Sequence, residues 1–152
     1  MQAVLCETKA NSFSFVLEGP LTILAVDDDP IQREFCAVYL ASPQTEIITA
    51  GSALEALQLL EQRRFDMALL DVDMPGMNGI DLLRQLRTDT RFNDMPVMMI
   101  TGREDMTSID QAYEAGATAF MCKPVNWRLL SHQVKFLLRA HKALQRVEGN
   151  HG

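Results

Sequence analysis

Five short apolar segments recur from residue 21 onward, and each is followed by a segment with helical spacing. The apolar segments are residues 22–26, 46–50, 67–71, 97–101 and 119–122. Four of the five are nearly continuous apolar runs rather than alternating ones, which is typical of strands covered on both faces in a parallel sheet. The pattern therefore predicts parallel strands with helices between them.

Helix signals separate these strands. Pro30 follows Asp29 and can serve as the first residue of a helix. Ser52 and Glu55 have the spacing of a capping box, and Gly116 can end a helix. Helices are predicted over residues 30–40, from Ser52, over 79–87 and 104–115, and from Asn126 to about Val147. Five β-α repeats predict a doubly wound α/β fold with right-handed crossovers.

The composition fits one globular domain. The chain has 152 residues, of which 47% are apolar and 22% charged, and such a chain can bury one core. The net charge of −6 disfavours direct nucleic-acid binding. No apolar run reaches the ~20 residues of a membrane span, and the N-terminus does not resemble a signal peptide. Because Cys6, Cys36 and Cys122 lack disulfide or zinc spacing, we expect a cytoplasmic protein with reduced thiols.

Reactive side chains follow four of the five strands. They are Asp27, Asp28 and Asp29 after the first, Asp71 and Asp73 at the third, Thr101 at the fourth and Lys123 after the fifth. Because ligands bind outside the carboxyl ends of parallel strands, we expect these groups to meet at one edge. Converging carboxylates repel one another, so some take up protons or a cation neutralises them. Oxygen ligands in an open site suit Mg²⁺.

These groups are the parts needed for phosphoryl transfer onto an aspartate. Asp71 is the candidate nucleophile. An uncompensated carboxylate that directly ends an apolar strand costs free energy, and this favours a functional role for it. Asp29 is interpreted as a helix N-cap. Asp73 lies in a turn, where its side chain needs no role of its own while its backbone carbonyl can still reach the metal.

Four motifs, in this order, resemble the receiver domain of two-component response regulators over about residues 21–140. LAVDDDP is similar to the family's acidic-pair motif, LLDVDMPGMNG to its phosphorylation loop, MMITG to its switch-hydroxyl strand and FMCKP to its lysine–proline motif. The resemblance implies a five-stranded parallel sheet in flavodoxin-like order. It also implies a signalling switch that accepts a phosphoryl group from a histidine kinase or phosphotransfer protein, with little enzymatic activity of its own.

The resemblance also implies a role for each site residue. Asp71 is the phosphoacceptor, and Lys123 precedes a cis peptide bond to Pro124. Thr101 turns toward the phosphoryl group, and Phe120 rotates inward with it; the alternative for Phe120 is an ordinary core residue. The implied Mg²⁺ ligands are Asp27, Asp28, Asp71 and the carbonyl of Asp73.

Two segments depart from a minimal receiver domain. Residues 1–20 are interpreted as an N-terminal extension, and residues 141–152 as the end of a long connecting helix and a tail. From residue 126 onward the chain has five basic residues and one acidic residue. The second half of this helix is interpreted as a basic connecting or dimerising helix, which predicts a homodimer through the C-terminal face and helix. The helix is also similar to that of receivers preceding diguanylate cyclase domains, so we expect either a stand-alone regulator or a part of a longer chain with such an output domain.

Two alternatives compete with the phosphorylation switch. A haloacid dehalogenase-type phosphohydrolase would also use Asp71 as nucleophile, with Asp73 two residues later. Pro75 stands where that motif has Thr or Val, and the motif follows the third strand instead of the first. The other alternative is a degenerate receiver that serves only as a dimerisation platform, against which the complete set of expected site residues argues.

Overall fold

The computed structural model describes residues 20–102 and 106–151. The expected extension over residues 1–20 lies outside the described residues except for Pro20, as do the first two residues of the helix predicted from residue 104. Five strands alternate with five helices: β1 (Leu21–Val26), α1 (Pro30–Leu40), β2 (Thr45–Ala50), α2 (Ala53–Gln62), β3 (Met67–Asp71), α3 (Gly79–Arg87), β4 (Val97–Thr101), α4 (Met106–Glu114), β5 (Ala119–Cys122) and α5 (Trp127–His151). The predicted α/β order is confirmed.

The five strands form one sheet in the order β2-β1-β3-β4-β5, and every neighbouring pair is parallel. This is the flavodoxin-like order. All residues of β3 and β4 are buried, whereas β5 is half-buried throughout and β2 over most of its length. β2 and β5 are the edge strands of the sheet, and they are less buried because each has a neighbouring strand on one side only.

Helices cover both faces of the sheet, and each face has its own apolar core. One core contains Ala56 of α2, Leu83 of α3 and Ala112 of α4. The other contains Cys36 of α1 and Leu130 of α5. Because the central strands are fixed between these two layers, the loops at their carboxyl ends are held at defined positions.

Two predicted helix starts are confirmed in detail. The Asp29 carboxylate accepts a hydrogen bond from the Ile31 amide at 2.9 Å and so caps α1. The Ser52 hydroxyl accepts from the Glu55 amide at 3.1 Å. The Glu55 carboxylate accepts from the Gly51 amide at 2.9 Å, one residue before the position that a capping box predicts. The end of β2 is therefore tied to the start of α2.

α5 continues four residues past the predicted end at Val147. Leu130, Val134 and Leu138 on this helix are buried, whereas residues 143–147 are all exposed. At its first turn Trp127 stacks on Tyr39 of α1, with ring centroids 5.7 Å apart. Among the helices of the described residues, none is both long and apolar enough to cross a membrane.

Candidate functional site

The ends of three strands bring acidic groups and one amine together. Asp27 follows β1, Asp71 is the last residue of β3, and Lys123 follows β5. The Lys123 amine donates a hydrogen bond to Asp27 Oδ2 at 3.1 Å and to Asp71 Oδ2 at 3.3 Å. Residues that are far apart in the sequence therefore meet at the carboxyl edge, as predicted. The peptide bond between Lys123 and Pro124 is cis.

Three carboxylates of this site are close enough to share one cation. Asp27, Asp28 and Asp71 each offer one oxygen, and these oxygens lie within 4.8 Å of one another. Asp27 and Asp71 are only 8% and 4% exposed, whereas Asp28 is exposed. An all-oxygen cluster with one open side fits Mg²⁺, which prefers oxygen ligands and keeps several water molecules.

The charges in the site do not balance. Burial, together with the negative charge of Asp27, raises the pKa of Asp71 to about 6, although the Lys123 amine opposes this shift. Burial alone lowers the pKa of Lys123, but its hydrogen bonds and charge interactions with Asp27 and Asp71 raise it overall. One ammonium therefore faces more carboxylate charge than it neutralises, an excess that a divalent cation would offset if bound.

Two close contacts fix the loop that follows β3. The Asp73 amide donates to Asp71 Oδ1 at 3.1 Å, which orients the Asp71 carboxylate. At Gly79, the first residue of α3, an added Cβ would lie 2.1 Å from the backbone oxygen of Asp71. Only glycine permits this approach. The start of α3 can therefore pack directly against the end of β3.

The side chain of Thr101 is turned toward Asp73. This fully buried residue ends β4, and its hydroxyl donates to Asp73 Oδ2 at 3.1 Å. Among the described residues, the carboxylate of Asp73 is not part of the cluster of three carboxylates. Phe120 in β5 is half-buried and packs against the core beneath α2, α3 and α4.

Sequence analysis missed one residue that contacts the site. Arg33 in α1 donates from Nη1 to the backbone oxygen of Asp27 at 2.7 Å. The available signal was a lone basic side chain in the second turn of the helix that directly follows the acidic segment. Sequence spacing alone does not reveal that its guanidinium reaches back to the end of β1.

A model of the response regulator receiver domain matches residues 23–135. The chain belongs to this family. It is 35% identical over 120 residues to a heme response regulator, HssR, of Staphylococcus saprophyticus, covering 79% of this chain and 52% of that protein. It is 34% identical over 120 residues to the DNA-binding response regulator MtrA of Mycolicibacterium smegmatis, covering 79% and 51%. The chain thus spans about half the length of these curated relatives.

Solved structures of receiver domains are also similar to this chain. A CheY-like receiver domain protein from Methanospirillum hungatei has a TM-score of 0.77 and 30% identity, covering 82% of this chain and 98% of the other. Chemotaxis protein CheY4 of Vibrio cholerae has a TM-score of 0.74 and 28% identity, covering 78% and 99%. The receiver domain is a phosphoaccepting signalling switch and not a metabolic enzyme, and nothing in these comparisons supports the haloacid dehalogenase alternative.

Proposed function

We propose that Asp71 is the phosphoacceptor and that a histidine kinase or a phosphotransfer protein is the donor. The observation that carries this proposal is the position of Asp71. Its buried carboxylate ends β3, contacts the Lys123 amine at 3.3 Å and lies in one cluster with Asp27 and Asp28. The described residues thus combine a nucleophile, a counter-charge and a cation-binding set at one point.

In the proposed reaction an Asp71 carboxylate oxygen attacks the phosphorus atom. The bond from phosphorus to the donor's imidazole nitrogen breaks, and its electron pair stays on that nitrogen. A pKa of about 6 leaves the Asp71 carboxylate mostly ionised at neutral pH, as a nucleophile must be. The Lys123 ammonium interacts with the negative charge that the phosphoryl oxygens bring.

Asp27, Asp28, Asp71 and the backbone carbonyl of Asp73 are the proposed Mg²⁺ ligands. The cluster of three carboxylate oxygens within 4.8 Å supports the first three. When bound, Mg²⁺ would supply positive charge against the phosphoryl oxygens and the carboxylates. The chain's own part is to hold the carboxylates in place and to keep Asp71 buried.

The proposed switch consists of Thr101 and Phe120. In the structure the Thr101 hydroxyl donates to Asp73, and a phosphoryl group on Asp71 would offer it a more strongly charged acceptor. Movement of Thr101 at the end of β4 would open space beside β5, where half-buried Phe120 can turn inward. The new charge thereby biases a packed element that has two arrangements.

Acetyl phosphate with Mg²⁺ tests the acceptor by intact-mass spectrometry. We expect one phosphoryl group on the wild-type chain and none on the Asp71→Asn variant. The matched control is Asp66→Asn, which changes the residue before β3 at the opposite end of the same strand. Labelling that persists in Asp71→Asn, or that is lost equally in Asp66→Asn, contradicts the assignment of Asp71.

The proposed domain organisation has a receiver domain over residues 21–140, preceded by an extension over 1–20 and followed by the end of the connecting helix and a tail over 141–152. The proposed location is the cytoplasm, in keeping with the buried thiol of Cys36. The proposed partners also include a second copy of this chain and, in a longer chain, an output domain such as a diguanylate cyclase. The homodimer is supported by α5, which exposes Leu129, Phe136 and Leu144 along its length.

Sedimentation of the phosphorylated chain tests the homodimer. Leu144 is 62% exposed, so Leu144→Asp disturbs no packing within the domain. We expect this variant to sediment as a monomer where the wild type sediments as a dimer. Gln145→Asp introduces the same charge at the neighbouring exposed position and should leave the dimer intact. A dimer that survives Leu144→Asp, or a wild type that remains monomeric, contradicts the proposal.

A further inference from the structure

Arg33 connects α1 to the backbone between two of the clustered aspartates. Its Nη1 donates at 2.7 Å to the backbone oxygen of Asp27. That oxygen belongs to the peptide group joining Asp27 to Asp28, so the hydrogen bond fixes the plane from which the Asp28 side chain departs. The backbone amide of Arg33 donates to the Asp29 oxygen at 3.1 Å. Arg33 is therefore anchored in its helix while its side chain reaches back to the end of β1.

The guanidinium of Arg33 also lies against the end of β2. A Cβ added to Gly51 would be 3.1 Å from Arg33 Nη1 and 3.5 Å from its Cζ. The Gly51 amide donates to the Glu55 carboxylate at 2.9 Å. The backbone of Gly51 does not have a positive φ, so an alanine is not strained there, and its tightest contact would be with the guanidinium, since the Glu55 carboxylate lies farther away at 3.6 Å. Arg33 is thus confined between the ends of two neighbouring strands.

We propose that Arg33 is a positioning residue for the cation site, holding the Asp27–Asp28 peptide so that both carboxylates point to one place. This inference rests on the proposed function, because it assumes that the carboxylate cluster binds Mg²⁺. A residue that orients a metal ligand through the backbone acts like the outer partners of other metal sites. Arg33 acts through the backbone of Asp27 and is therefore not a catalytic residue.

Loss of the Arg33 charge and loss of its hydrogen bond are expected to change the Mg²⁺ affinity in opposite directions. A guanidinium near an acidic site repels a divalent cation, so removal of its charge alone would strengthen Mg²⁺ binding. Loss of the hydrogen bond to Asp27 would release the peptide and weaken binding. The sign of the change in Mg²⁺ affinity therefore separates a positioning residue from a nearby surface charge.

Calorimetric titration of the full chain with Mg²⁺ is the first measurement. Methionine keeps the stem of Arg33 and removes its donors, and we expect Arg33→Met to weaken Mg²⁺ binding about tenfold. Arg33→Lys can still donate one hydrogen bond and should recover part of the loss. Arg84→Met removes an exposed guanidinium whose salt bridge is to Asp81 in the same helix, and should leave the affinity unchanged. Unchanged or tighter binding in Arg33→Met overturns the proposal.

The crowded contact at Gly51 provides a second variant. In the wild-type background Gly51→Ala pushes the guanidinium away by a few tenths of an ångström, and we expect Mg²⁺ binding to weaken. In the Arg33→Met background the side chain ends short of this contact, so the added methyl group should have no further effect. Equal effects of Gly51→Ala in both backgrounds overturn the proposal, because the change would not act through Arg33.

The Asp28→Asn variant distinguishes failure of this inference from failure of the proposed function. If the wild type binds no Mg²⁺, or if Asp28→Asn does not weaken binding, the carboxylate cluster is not the cation site and the proposed function fails. If Asp28→Asn weakens binding but the Arg33 and Gly51 variants bind as the wild type does, only the role of Arg33 fails.

Discussion

The two ends of β3 each pair an aspartate with a lysine. Before the strand, Asp66 lies 3.8 Å from the Lys142 amine of α5, and its other oxygen accepts from the Thr22 amide at 2.8 Å. At the end of the strand, Asp71 lies 3.3 Å from the Lys123 amine. The Asp66 side chain is 31% exposed and the Asp71 side chain only 4%.

The difference between these ends is the balance of charge. At Asp66 one partly exposed carboxylate is matched by one amine and one backbone donor, an arrangement typical of a structural ion pair. At Asp71 the amine is shared with Asp27, and burial removes the solvent that would screen the excess charge. The same two residue types therefore join α5 to the sheet at one end and favour cation binding at the other.

Removal of each lysine should give the largest contrast between the two ends. We expect Lys123→Ala still to accept a phosphoryl group on Asp71, since the nucleophile and the carboxylate cluster remain. It should lose the conformational response, because Lys123 connects Asp71 to the strand that carries Phe120. Amide hydrogen exchange across β4 and β5, compared before and after treatment with acetyl phosphate and Mg²⁺, measures that response.

Lys142→Ala is the matched control for this prediction. Its ion pair is long and partly exposed, so its loss should lower the free energy of unfolding by about 0.5 kcal/mol or less. Labelling and the exchange response should both persist. A normal exchange response in Lys123→Ala, or the same loss of response in Lys142→Ala, would show that the two ends are not distinct.

The succession of strands and helices could be predicted because it depends on local patterns, whereas the order of the strands in the sheet was implied by the family resemblance. Continuous apolar runs indicate strands, and N-cap residues such as Asp29 and Ser52 indicate helix starts. The structure confirms both caps. The greater exposure of β2 and β5 was not stated as a prediction, although the flavodoxin-like strand order that the resemblance implies places both strands at the edges of the sheet. The last four residues of α5 were also missed, because helix ends carry weak signals.

The site was predictable to the extent that it follows strand ends. Asp27, Asp71 and Lys123 could be placed at one edge because parallel strands end there. The contact of Thr101 with the Asp73 carboxylate could not be predicted, since it depends on the conformation of the loop after β3. The contact of Arg33 was missed for the same kind of reason: a long side chain can reach many backbone atoms, and only packing selects one.

A smaller contrast between the two ends of β3 should appear in the free energy of unfolding when no metal is bound. In the presence of a chelator at neutral pH, Asp71→Asn removes a buried charge that Lys123 compensates only in part, and should raise the free energy of unfolding by about 1–2 kcal/mol. Asp66→Asn weakens the charge-assisted bond from the Thr22 amide and should lower it by about 0.5–1 kcal/mol. Chemical denaturation of both variants beside the wild type measures these opposite signs.

The pH dependence of this difference provides a further check. The pKa of Asp71 is about 6 in the folded chain against an ordinary value of 3.8, so the folded state takes up a proton before the unfolded state does. As the pH falls from about 7 to about 4, this group therefore adds stability to the wild type, and the advantage of Asp71→Asn should shrink toward zero. An advantage that grows on acidification, or that is absent at neutral pH, would mean that Asp71 carries no excess charge and that the two ends of β3 are alike.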